Sequence, residues 1–347
     1  MAAGLSSRAA GSGETLLAVD NLAVRFPGAL PGEGRDISVV AGISYEIAAG
    51  RTLGVVGESG CGKSMTALAL LGLVPAPGRV AGSVRFEGAE LLGQSEAAWQ
   101  SIRGARIAMI FQEPMTALNP VIPIGAQIAE ALELHDGLSG AAARERAIAL
   151  LAEVGIPSPH ERADAYPHQL SGGMRQRGMI AMALACQPAL LIADEPTTAL
   201  DVTIQAQILE LMAELQDRVG MAIQLISHNL GVVSEIADDI IVMYAGRIVE
   251  RAPAAALFAA PRHPYTMALL HSVPRLDRPR QARLDPIEGQ PPDLTRLDRG
   301  CSFRPRCRFA VDLCATAPPP LLPAGAPGQL SACYHSNELG SVSGEAA

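Results

Sequence analysis

The stretch Gly57–Ser64 reads GESGCGKS. It fits the pattern G-x4-G-K-S/T, in which glycines let successive backbone N–H groups turn inward around the β-phosphate of a nucleotide. A side chain at those glycines would fill the space the phosphate needs. Ahead of the loop, Thr52–Val56 (TLGVV) reads as a short buried strand; behind it, Ser64–Leu71 (SMTALALL) reads as a helix that Gly72 stops. That order sets an anion at a helix N-terminus, where unpaired N–H groups and the positive end of the helix dipole favour it. The expected cradle is Gly57, Glu58, Ser59, Gly60, Cys61, Gly62, Lys63, Ser64 and the following Met65. Lys63 would neutralise β- and γ-phosphate charge, and the Ser64 hydroxyl would ligate Mg²⁺.

The 347 residues have room for two or three domains, and 49% hydrophobic content suffices for a large core. Only 3% are aromatic, so aliphatic side chains must build that core. A formal charge of −8 speaks against a nucleic-acid partner, because binding phosphate backbones rests on clustered Lys and Arg. The N-terminus lacks the charged, apolar and small-residue succession of a secretory signal, so a cytoplasmic chain is expected. The most apolar run, 178–193, is shorter than a bilayer span and is broken by Gln187 and Pro188. Membrane association would therefore come through partner subunits.

Residues 1–14, mostly Ala, Gly and Ser, read as a disordered tail. Strands are expected at Leu17–Phe26 and Gly42–Ile47, with a Gly/Pro-rich loop at Pro27–Gly34 between them. Phe26 could stack on an adenine ring or serve as a core or edge phenylalanine. Further strands are expected at Gly82–Phe86 and Ile107–Phe111, the second running into Gln112. The pattern then turns helical, at Ile124–Leu134 and Ala141–Val154, giving a helical insert over about 113–174. In LSGGMRQR (170–177), Ser171, Gly172 and Gly173 open a helix, Met174–Ala185; this is a second anion-binding arrangement or an ordinary N-cap. The strand Ala189–Ala193 ends in Asp194 and Glu195, a carboxylate pair suited to an Mg²⁺ shell and to polarising an attacking water respectively. Asp201 can cap the helix Val202–Val219, and the strand Ala222–Ile226 delivers Ser227 and His228 to the same sheet edge, where His228 can donate to a γ-phosphate oxygen. Strands at Ile240–Tyr244 and Arg247–Glu250 close the core.

Over residues 15–260 this succession resembles the ATP-binding subunits of ABC transporters, which implies an α/β P-loop NTPase domain with an inserted α-helical subdomain. GESGCGKS matches the Walker A loop, Gln112 the Q-loop, LSGGMRQR the signature, ALLIADE the Walker B strand, Ala199–Leu200–Asp201 the D-loop and His228 the switch histidine. The resemblance implies that two such subunits close head to tail, so that Ser171, Gly172, Gly173 and Gln176 act on ATP held by the other copy. It further implies Glu195, His228 and Gln112 as catalytic, Ser64, Gln112 and Asp194 around Mg²⁺, and Phe26 against the adenine. FQEPMTALNP (111–120), PRHPYTMALLHSVP (261–274), IEGQPPDL (287–294) and GCSFRPRCRFA (300–310) are similar to the bacterial dipeptide/oligopeptide importer branch, with a C-terminal extension over 261–335 and a flexible tail at 336–347. Asn229 departs from the aspartate usual after the switch histidine. The implied partners are a paralogous ATPase subunit, two transmembrane permease subunits and an extracytoplasmic peptide-binding protein. The implied location is the cytoplasmic face of the inner membrane. Dipeptide, longer peptide, nickel complex and glutathione all stay open as cargo. A soluble ABC ATPase of DNA repair or translation is the rival reading, but the interval from Gln112 to Ser171 is too short for the long coiled coil of repair proteins.

Cys301, Cys307, Cys314 and Cys333 form C-x5-C-x6-C-x18-C in the last part of the chain, while Cys61 and Cys186 are scattered. No C-x-x-C pair occurs, so four thiolates at irregular spacing could hold a 4Fe–4S cluster or a distorted zinc site. The importer resemblance points to iron–sulfur, in a structural role. His335 is a substitute ligand, and Arg304, Arg306 and Arg308 would offset cluster charge or form a solvated face.

Overall fold

The computed structural model describes residues 13–28, 36–112, 117–198, 200–272 and 287–342. The expected tail up to residue 12, most of the Pro27–Gly34 loop, Glu113–Thr116, Ala199 of the D-loop, the end of the 261–274 stretch and residues 343–347 lie outside them.

The strands are β1 Thr15–Phe26, β2 Ile37–Ala48, β3 Thr52–Val56, β4 Arg79–Phe86, β5 Ala89–Glu90, β6 Ile107–Ile110, β7 Leu190–Asp194, β8 Ala222–Ser227, β9 Asp239–Tyr244, β10 Arg247–Pro253, β11 Leu322–Pro323 and β12 Leu330–Ser331. Among the described residues they form two sheets, β2-β1-β4-β5 and β11-β12-β10-β9-β3-β8-β7-β6. In the larger sheet β9, β3, β8, β7 and β6 are parallel, whereas β10, β12 and β11 add on antiparallel at one edge.

Strands β3, β7 and β8 are buried end to end, which is why their sequences read as unbroken apolar runs. Their side chains alternate between two cores. Val56, Leu191, Ala193, Ile223 and Leu225 face the core shared with the helical insert. Leu53, Val55, Leu190, Ile192, Ala222 and Ile226 face the core under the antiparallel sheet. Each fully buried aliphatic side chain contributes about 1.5–3 kcal/mol relative to exposure.

The antiparallel sheet is longer than apolar alternation alone suggests. β4 starts at Arg79 rather than Gly82, because Gly82, at φ 110, sits where the register against β1 shifts between Asp20 and Ala23, and the ladder continues past this bulge. A helix at Glu96–Ile102, capped by Ser95 and burying Trp99, was not expected from the sequence. The helical insert forms as expected, with helices Ile124–His135, Gly140–Glu153 and Pro159–Arg162. Ile128, Leu132, Ala147 and Leu151 from it pack with Ile180 of the helix Gly172–Ala183.

The C-terminal extension is more ordered than a loop. β12 pairs with β10, Phe303 is buried against Tyr244 and Tyr265, and Gln329 donates to the fully buried Glu250 of β10. The expected flexible tail is corrected: Ser336–Val342 forms a helix and buries Leu339, an apolar anchor the polar flanks concealed. No described helix is long and apolar enough to cross a membrane.

Candidate functional site

Because β3, β6, β7 and β8 run parallel, the segments after them emerge at one edge of the sheet, where ligands of open α/β folds bind. Gln112, Asp194, Glu195, His228 and the glycine loop follow directly from this placement; Phe26, the signature, Asp201 and the four cysteines lie elsewhere.

After β3 the chain turns through Gly57–Gly62 into the helix Lys63–Leu70. Gly62 sits at φ 102, and a Cβ on it would stand 2.6 Å from the Val39 carbonyl oxygen; a Cβ on Gly57 would collide with the Met243 carbonyl. Glycine is thus required by both backbone angle and space. Lys63 is buried, and its Nζ donates to the carbonyls of Gly57 (2.7 Å) and Glu58 (3.1 Å), folding over the loop. Cys61 is buried beside it, and burial pushes its thiol up. Ser59 and Gly60 are exposed at the rim, while Ser64 and Met65 are half-buried.

Asp194 ends β7 at 3% exposure. Burial raises its carboxyl above the usual range, opposed by the Ser64 hydroxyl bonded to it, raised further by Glu195 and opposed by Lys63. Its Oδ1 is buried with no hydrogen-bond partner. A buried carboxylate with one unpartnered oxygen, beside the Ser64 hydroxyl, is a donor set that suits a hard cation, so these residues fit Mg²⁺.

Glu195 is the hub. Its Oε2 accepts from Gln112 Nε2 at 3.2 Å and Thr198 Oγ1 at 2.9 Å, and His228 Nδ1 stands at 3.1 Å. The residue lies at φ 48, a conformation that costs a non-glycine residue of order 1 kcal/mol and that clusters at active sites. Its own N–H donates to the Ile226 carbonyl of β8, so the strain is held by the sheet. Three side chains, from the ends of two strands and one turn, therefore converge on one carboxylate oxygen at the end of a third strand. Thr198 was missed by sequence reasoning, although its place three residues beyond Glu195 in a tight turn was the available signal.

The signature lies elsewhere. Ser171 is exposed and caps the helix Gly172–Ala183, accepting from Met174 N–H at 3.3 Å. Gly172 is exposed and Gly173 half-buried, while Gln176 is buried with its Nε2 unpartnered. No described hydrogen bond or ion pair joins this segment to Gly57–Ser64 of the same chain. Asp201 is the N-cap expected of it, accepting from Ile204 N–H at 2.9 Å. Phe26 is half-buried, packed against the apolar core beneath the antiparallel sheet and close to Gly78.

Cys301, Cys307, Cys314 and Cys333 all line one small cavity with His263, Phe303 and His335. Burial first, and the neighbouring thiols second, raise the thiols of Cys301, Cys307 and Cys333, the last to about 11 in all. Even so, among the described residues no three ligating side chains converge closely enough to hold a metal ion. Arg304 lines the same cavity and, with Arg308, partly offsets the upward push on the Cys301 and Cys307 thiols, although Arg304 also pairs with Asp298 and Arg308 lies over Phe309; Arg306 instead pairs with Glu58 of the glycine loop.

Comparison with known proteins agrees with this geometry. The ABC transporter family matches residues 40–198, and the family "Oligopeptide/dipeptide transporter, C-terminal region" matches residues 249–314. The chain is 52% identical to "Probable peptide ABC transporter ATP-binding protein y4tR" of Sinorhizobium fredii, over 94% of this chain and 96% of that protein. It is 50% identical to "Oligopeptide transport ATP-binding protein OppD" of Salmonella typhimurium, over 92% and 93%. To "Dipeptide transport ATP-binding protein DppD" of Escherichia coli it is 51% identical, over 92% and 96%. Among solved structures, the fold resembles the dimeric post-hydrolysis ATP-binding cassette MJ0796 bound to ADP and Pi, with a TM-score of 0.61 and 24% identity over 69% of this chain and 98% of that one. The chain thus belongs to the ATP-binding proteins of the ABC transporter family, in the branch that carries the oligopeptide/dipeptide C-terminal region.

Proposed function

We propose that this chain hydrolyses ATP to power import of peptides across the cytoplasmic membrane, working from its inner face with two permease subunits, a second, paralogous ATPase and an extracytoplasmic peptide-binding protein. The observation that carries the reading is the convergence of Gln112, Thr198 and His228 on Glu195, beside a glycine loop and a buried Asp194. Glu195 accepts the proton of the attacking water and aims it in line with the γ-phosphorus; His228 and Gln112 fix the carboxylate that does so. Lys63, freed from the Gly57 and Glu58 carbonyls, meets the β- and γ-phosphates. Ser64 and Asp194, with Gln112, would hold Mg²⁺, which when bound neutralises charge on the bridging phosphate oxygens. The outward-facing Ser171 cap, with Gly172, Gly173 and Gln176, supports an action in trans on the partner copy's ATP, and Phe26 supports the adenine on the other side.

For the four cysteines the reading is a 4Fe–4S cluster that pins the extension. That the four line one cavity favours it, although the thiols would have to draw together on binding because no three of them stand close enough as they are, and iron and sulfide analysis of anaerobically purified protein tests it.

The functional test is uptake of labelled peptide by vesicles carrying the assembled transporter. Lys63→Ala and Ser171→Arg should each abolish ATP-driven uptake; uptake untouched by either would overturn the reading.

A further inference from the structure

Glu58, the second residue of the glycine loop, places a carboxylate one position from the amides that must receive an anion. The structure pairs it with a residue 248 positions away. Arg306 Nη1 lies 2.6 Å from Glu58 Oε2, and Nη2 lies 3.0 Å from Oε1, a two-pronged contact. The Arg306 side chain is 4% exposed. Its Nε donates to the Glu288 carbonyl at 2.8 Å, an Nη reaches Tyr244 Oη at 3.4 Å, and the guanidinium lies 6.0 Å from the Tyr244 and Phe303 ring centres. The Glu58 N–H meanwhile donates to Tyr265 Oη at 2.8 Å. Both the backbone and the side chain of Glu58 are thus held by groups from beyond the strands that build the nucleotide site.

We propose that Arg306, supplied by the C-terminal extension, is a positioning residue of the ATP site: it turns the Glu58 carboxylate away from the phosphates and cancels its charge. Without the fork, a free carboxylate stands beside incoming phosphate and also competes for Lys63, which already docks on the Glu58 carbonyl. Arginine suits the task because a planar fork fixes both carboxylate oxygens, whereas lysine holds one at a time. The extension thereby sets ATP affinity without touching ATP. The inference rests on the loop binding ATP.

The test measures equilibrium binding of a fluorescent N-methylanthraniloyl ATP to the full chain, together with KM and kcat of ATP hydrolysis in the assembled transporter and a melting curve. Arg306→Gln should weaken binding and raise KM about tenfold while kcat falls less than about twofold, as the loss of one charge-assisted pair implies. Arg306→Lys should recover part of the loss. The double change Arg306→Gln with Glu58→Gln should restore affinity to within about threefold of the starting protein, because the uncancelled carboxylate is gone. Wild-type affinity in Arg306→Gln, or a double variant as weak as the single one, would overturn the proposal and leave the pair as bracing alone. If Arg306→Gln does not fold, Arg306→Lys still decides: weakened binding supports the proposal, and unchanged binding with only a lower melting point overturns it. Failure of the unaltered chain to bind the analogue would instead remove the ATP reading beneath it.

Discussion

His228 Nδ1 stands 3.1 Å from Glu195 Oε2, joining the end of β8 to the end of β7 across the site. With the bonds from Gln112 and Thr198 to the same oxygen, the contact fixes the direction of the carboxylate. Glu195→Gln keeps shape but cannot take a proton, so ATP binding should persist while phosphate release in a single turnover slows by about 10²–10⁴. His228→Ala should slow the same step about 10²-fold.

Thr198 donates to the same Oε2 at 2.9 Å. Thr198→Val preserves volume and removes one hydrogen bond of about 1 kcal/mol, so kcat should fall between roughly threefold and tenfold with ATP affinity unchanged. Thr198→Ser should recover the rate. A valine variant at full speed would show the hydroxyl to be idle.

His263 is buried, and its Nδ1 accepts the Tyr265 N–H at 3.1 Å at the start of the helix Pro264–His271. Burial alone lowers its pKa from 6.5 to about 3. The folded chain keeps this ring neutral while the unfolded chain protonates it below its ordinary value. Its contribution is therefore complete above pH 6.5 and drains away as pH falls toward about 3, amounting to at most about 4–5 kcal/mol. Urea melts across that window should show the decline. His263→Asn, which keeps an acceptor for the cap and cannot titrate, should flatten it.

Glu250 is fully buried and accepts from the N–H groups of Arg262 (2.7 Å) and His263 (2.9 Å) and from Gln329 Nε2 (3.0 Å). Glu250→Ala leaves these donors without an acceptor, and a loss of about 3–5 kcal/mol is expected in denaturant titrations. Gln329→Ala removes the donor to Glu250 and to the Ala260 carbonyl and the acceptor of the Ala326 N–H, and should cost about 2–3 kcal/mol.

The nucleotide loop was legible because its chemistry is local: a strand, a glycine turn and a helix lie within twenty residues, and each leaves its own pattern. Val202–Val219 was read to the residue, since Asp201 caps it and Gly220 at φ 75 ends it. β4 was cut short at Gly82 because a bulge glycine looks like a turn until its partner strand is known. Arg306 was read as a counter-charge to thiolates or as a solvated face, because nothing in RPRC tells where the guanidinium points. Its partner is fixed by the packing of Phe303 on Tyr244 and Tyr265, which only the tertiary fold brings together. Tyr265 itself, whose hydroxyl meets the Glu58 N–H, reads in sequence as an ordinary helix aromatic.

Ser331 and Leu330 pair with Glu250 and Arg251, so β12 occupies the outer rail of β10. A chain cut after the helix Pro264–His271 would present that rail bare, together with the face that Phe303 covers. Such a fragment would carry every motif of the ATP site and still be a template for strand-by-strand self-association. The extension is thus a guard against clumping as well as a brace, and sedimentation of the shortened chain should report it as large, ATP-indifferent species.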